Sequence, residues 1–74
     1  MIILGIDPGT ASTGWGAVRK IGNKRVELLE YGCIRTSAGE EMPKRLLLLK
    51  NELSIIIKKH KPASIVVERL FFNT

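Results

Sequence analysis

The sequence predicts an α/β protein with a mixed sheet and one crossover helix between its first and last strands. Two short runs, Ile2 to Asp7 and Ser64 to Glu68, are apolar on both faces, as strands in the middle of a covered sheet are. Between them, alternation from Gly14 to Thr36 gives way to helical spacing from Pro43 to about His60. The order strand, hairpin, helix, strand makes the fourth strand a parallel neighbour of the first through a right-handed crossover.

Each element has its own signals. Pro8-Gly9 closes the first strand, and Asp7, as the residue before a proline, is held extended. Gly14 to Ile21 alternates as Trp15, Ala17, Arg19 and Ile21 against Gly16, Val18 and Lys20, giving a second strand. Gly22-Asn23-Lys24 is a turn, and Arg25 to Thr36 returns as the third strand of a hairpin. Its alternation slips at Leu28-Leu29, which predicts a bulge there.

In the helix, Leu46, Leu49, Leu53, Ile56, Ile57 and His60 form the apolar stripe, with Leu47, Leu48 and Ile55 off it. Pro43 suits the first turn, and Glu40 and Glu41 stand just ahead of it, where the helix dipole favours acids. Lys58, Lys59 and Lys61 crowd the far end before Pro62, a solvated helix terminus, and His60 is expected to cap it. One helix can cover only one face of the sheet. The face left open is expected to be filled by a second copy of the chain or by further residues.

Composition narrows the function classes. The 74 residues allow one small domain, and 45% hydrophobic content fits a globular chain. Twelve Lys and Arg against 7 Asp and Glu give a net charge of +5, which favours a polyanionic partner such as nucleic acid. A single cysteine, Cys33, rules out an internal disulfide or a cysteine-built zinc site, and is expected to be a buried or half-buried hydrophobe. No apolar run approaches the roughly 20 residues that cross a bilayer. The opening residues lack the basic lead-in of a signal peptide, so a cytoplasmic location without membrane contact is expected.

Asp7 and Glu68 fall at the carboxyl ends of the first and fourth strands. Adjacent parallel strands lie about 4.8 Å apart, so the two carboxylates would converge on one crevice, at the sheet edge where open α/β sheets bind ligands. Acids that close repel unless a cation or proton intervenes, and an oxygen-only donor set suits Mg²⁺ or Mn²⁺. The alternative is a turn-forming Asp7 before Pro-Gly and a Glu68 paired with Arg69 or a lysine. The loop from Asp7 to Gly14, rich in small and hydroxyl residues, can let a phosphate approach the backbone.

Ile3-Leu4-Gly5-Ile6-Asp7-Pro8-Gly9, with Thr13-Gly14-Trp15-Gly16, resembles the opening of RuvC-type Holliday-junction resolvases. The resemblance continues through Tyr31 to Thr36, through Pro43 with Arg45-Leu46, and through Ile65 to Asn73. It implies the N-terminal part of a ribonuclease-H-like fold, incomplete over residues 1–74. The implied activity is a divalent-metal-dependent endonuclease that cuts four-way DNA junctions as a homodimer, beside junction-binding and branch-migration proteins. Asp7 and Glu68 match the family's first two metal-binding acids, and Phe71 an aromatic that stacks on DNA bases. Thr13, Arg69 and Asn73 are the further expected DNA contacts, while Phe72 is expected to pack under the sheet edge. The family's two remaining acids lie beyond Thr74, so this chain is expected to hold half of the active site and to be inactive alone.

Gly5-Ile6-Asp7 with Gly9-Thr10 and Ser12-Thr13-Gly14 also resembles the first phosphate loop of actin-like ATPases and sugar kinases. The acidic, Phe-rich segment from Glu68 to Asn73 argues against that alternative. A non-catalytic association module is the third reading.

Overall fold

A computed structural model of the chain describes residues 1–9 and 11–68. Five elements follow in order: β1 (Ile2–Asp7), β2 (Ser12–Ile21), β3 (Arg25–Arg35), α1 (Met42–His60) and β4 (Ser64–Val67). The sheet order is β3-β2-β1-β4, with β2 antiparallel to both β1 and β3 and β4 parallel to β1. The expected mixed sheet and parallel outer pair are therefore present. The second strand starts earlier than its alternation suggests, at Ser12, because Ser12 and Thr13 pair with Arg35 and Ile34.

The hairpin turns through Gly22, whose φ of 62° lies in the left-handed region that glycine enters without strain. Its register shifts by one between Ala17 and Val18, leaving Leu29 as the extra residue on β3. The bulge sits where the alternation slips.

Leu4, Ala17, Ile34 and Ile56 form the core, with Ile6, Trp15, Leu29, Leu49 and Leu53 packed around it. Leu4 is fully buried because it lies on a central strand beneath the helix. The helix uses only part of its predicted stripe. Leu49, Leu53 and Ile56 face the sheet, whereas Leu46 and Ile57 are exposed. The described sheet is too narrow to cover the flanks of the stripe.

Two further expectations are corrected. Cys33 is exposed, because strand alternation from the core residue Ile34 turns it to the helix-free face. His60 does not cap the helix. Lys61 takes that role in the left-handed conformation (φ 46°), its N–H donating to the Ile57 carbonyl at 2.8 Å. The His60 ring turns instead to the sheet, where Nε2–H donates to Glu30 Oε1 at 2.6 Å, and its centroid lies 6.3 Å from that of Trp15. Lys59 Nζ joins the same carboxylate at 3.0 Å. Hydrogen bonds from His60 and then Lys59 hold the Glu30 carboxyl below the ordinary carboxylate range.

Candidate metal site and its family

Asp7 ends β1 and Glu68 directly follows β4. The parallel register pairs Ile6 with Val67, so Asp7 and Glu68 occupy the next step of the two chains. The Glu68 N–H donates to the Ile6 carbonyl at 3.0 Å, carrying the ladder that one step further. Both residues line one cleft of about 380 Å³. Within this cleft Asp7 is half-buried and Glu68 exposed.

Strand alternation explains which face the site uses. Leu4 and Ile6 point toward α1, so Gly5 and Asp7 fall on the helix-free face. Across the sheet, Asp7 pairs with Gly14 and Gly5 with Gly16, and all of these residues line the cleft with Val66 and Glu68. The floor beside the acids is thus a strip of glycine backbone. A Cβ at Gly16 would meet nothing within 4 Å, so the strip is open rather than filled from the sheet. This floor was missed in the sequence. Its signal was the spacing of Gly14 and Gly16, which places both on one face of a strand.

The loop after Asp7 is held from behind. A Cβ at Gly9 would collide with the Ser12 carbonyl, so the turn requires glycine. Thr36 N–H donates to the Ala11 carbonyl at 2.9 Å, and Arg45 Nε–H donates to Thr36 Oγ1 at 3.2 Å. The loop, the end of β3 and the start of α1 are therefore joined.

Thr13 is not beside the acids. It is 4% exposed and pairs with Ile34 on the helix-facing side, so direct DNA contact is closed to it. Arg69, Phe71, Phe72 and Asn73 lie outside the described residues. Among the described residues no cluster of three or more His, Cys, Asp or Glu is placed to hold a metal, and no helix is long and apolar enough to cross a membrane. The two acids that line the cleft offer carboxylate oxygens, a donor type that would suit Mg²⁺ or Mn²⁺ and not a soft-ligand metal. Two carboxylates make a partial coordination shell.

The profile of one family, described as crossover junction endodeoxyribonuclease RuvC, matches residues 3–74. A relative of that name from Pelotomaculum thermopropionicum is 52% identical over 73 residues, which is 99% of this chain and 44% of the relative. Among solved structures, Thermus thermophilus RuvC superposes with a TM-score of 0.85 at 28% identity, covering all of this chain and 46% of that one. The same protein in complex with a Holliday junction substrate gives 0.85 at 27% identity, with 48% of that chain covered. The chain thus spans less than half the length of the relatives it matches, and its four strands and helix are the N-terminal part of their ribonuclease-H-like fold. From its third residue to its last, this chain belongs to the RuvC family.

Proposed function

We propose that the chain is the N-terminal part of a divalent-metal-dependent endonuclease domain that hydrolyses phosphodiesters at four-way DNA junctions in recombination and repair. The carrying observation is the shared cleft of Asp7 and Glu68 at the carboxyl ends of adjacent parallel strands. Support comes from the family match and from the relative whose structure is described as holding a Holliday junction substrate.

In this reading, Asp7 and Glu68 hold Mg²⁺ or Mn²⁺ through their carboxylate oxygens. A bound divalent ion supplies charge neutralisation of the phosphate and a water nucleophile at neutral pH. The chain's own residues do the positioning. Asp7 is fixed by β1 and by the pinned loop behind it, and Glu68 by its backbone bond to Ile6. The glycine strip lets the DNA backbone come close to the sheet without meeting side chains. The net charge of +5 favours the approach of a polyanion. Arg69, Phe71 and Asn73 are the proposed DNA contacts, with Phe71 stacking on a base. The working assembly is a homodimer that acts with junction-binding and branch-migration partners in the cytoplasm.

Two acids do not complete a paired-metal site, so the 74-residue chain is inactive by itself. The test joins this chain to the remaining part of the Pelotomaculum relative and offers it a labelled four-way junction with Mg²⁺. The fusion cleaves the junction in preference to linear duplex, Asp7→Asn abolishes cleavage, and the 74-residue chain alone cleaves neither. A folded fusion without junction cleavage contradicts the proposal, as does Asp7-dependent cleavage by the short chain.

A further inference from the structure

Arg45 occupies a helix position that is unfavourable for a cation. Arg45, Leu49, Leu53, Ile56 and His60 recur at helical spacing along α1, and all of them are buried or half-buried. The three apolar members pack in and against the core, and the two polar ends are each fastened to the sheet. His60 holds Glu30 at the far end. Arg45 lies in the first turn, which contains no acid and where the helix dipole disfavours positive charge.

The partner of Arg45 gives that position a use. Its Nε–H donates to Thr36 Oγ1 at 3.2 Å, and the Thr36 N–H donates to the Ala11 carbonyl at 2.9 Å. Ala11 leads into β2, whose Gly14 pairs with Asp7, and Gly9 on the other side of the turn backs onto the Ser12 carbonyl. Gly9, Thr36 and Arg45 line one hollow of about 320 Å³. A bonded route therefore runs from the start of α1, past the end of β3, to the turn that follows Asp7. The His60–Glu30 contact has no such route, since Glu30 pairs with Ala17, further along β2 from the Gly14 that faces Asp7.

We propose that Arg45 is a positioning residue for the Asp7 carboxylate, acting from the opposite face of the sheet through the Thr36 hydroxyl. The inference rests on Asp7 and Glu68 holding a divalent cation. Its sign separates it from a charge effect. Removing a cation near a metal site leaves the metal bound as well or better by Coulomb attraction alone, whereas loosening the turn behind a ligand weakens binding.

The test is a Mn²⁺ titration of the 74-residue chain, followed by the paramagnetic resonance signal of the free ion. Thr36→Val and Arg45→Met each weaken Mn²⁺ binding by about tenfold, the lower end of what outer partners of a ligand are worth. The double variant loses little more than either alone, as expected of two residues on one route. Thr36→Ser, which keeps the hydroxyl, retains the affinity. Glu30→Gln loosens the other end of the helix and leaves Mn²⁺ affinity unchanged, which a general loss of helix docking would not do. Unchanged or tighter binding in Thr36→Val and Arg45→Met, beside a loss in Asp7→Asn, overturns the role of Arg45 and leaves the cation site standing. An Asp7→Asn variant that binds Mn²⁺ as the unaltered chain does overturns both. Should Arg45→Met fail to fold, the contrast of Thr36→Val with Thr36→Ser decides, and equal affinity in those two refutes the proposal.

Discussion

His60 Nε2 lies 2.6 Å from Glu30 Oε1, fastening the last turn of α1 to the outer antiparallel strand of the sheet. The two residues are 30 positions apart, and His60 is itself almost covered, with 10% of its side chain exposed. The contact fixes where the helix ends over the sheet, and hence where β4 begins its parallel run beside β1.

Because its partners lower the Glu30 pKa in the folded chain, the contact stabilises the fold above the unfolded carboxylate pKa. That contribution is lost as pH falls through the folded value, below the ordinary glutamate value of about 4.3. Glu30→Gln therefore lowers the urea midpoint at neutral pH and gives a flatter acid limb than the unaltered chain. Parallel acid limbs for the two proteins would show that the contact contributes nothing.

Trp15 lies against Gly32 on the neighbouring strand. A Cβ at Gly32 would stand 2.9 Å from the indole Nε1 and 3.0 Å from Cε2 and Cζ2, so the ring occupies the space a side chain would need. Gly32→Ala forces the indole aside and costs about 1–3 kcal/mol, with a shift in the emission of the chain's single tryptophan. In a Trp15→Ala background the same substitution costs much less, the coupling expected of residues in contact. An equal cost in both backgrounds means that the ring is not what excludes the methyl group.

Among the described residues, Leu4 is the one large side chain with no exposure, held between the helix and the central strands. Leu4→Ala costs about 2–5 kcal/mol, whereas Leu28→Ala, on the open face, stays within about 0.5 kcal/mol. Urea denaturation of the two variants separates them. Similar losses at both positions would mean that the open face is covered in solution.

The sequence pattern yields the strand order and the position of the acids, because these depend on local periodicity and on the handedness of the crossover. Ile2–Asp7 and Ser64–Val67 read as doubly apolar runs, and the bulge at Leu29 follows from a slip visible in the alternation. What the pattern does not yield depends on the placement of the helix. Leu46 and Ile57 lie on the stripe by spacing, yet the described strands beneath α1 leave them exposed. His60 reads as a cap because the carboxylate that claims it belongs to a strand 30 positions earlier. The contact of Trp15 with Gly32 follows only once the bulge has shifted the register, so it needs the third strand's irregularity as well as its period. Exposure of Cys33 was missed for the same reason, since its face follows from Ile34 reaching the core.

In the proposed function, Asp7 and Glu68 form one cation site over the glycine strip. Paramagnetic broadening by Mn²⁺, read amide by amide in a ¹⁵N-labelled chain, tests it most directly. Substoichiometric Mn²⁺ broadens Gly5, Asp7, Gly14, Gly16 and Glu68 first and leaves Val26 and Ile55 sharp, and the pattern is lost in Asp7→Asn and in Glu68→Gln. Broadening centred elsewhere, or unchanged by either substitution in a folded chain, would contradict it.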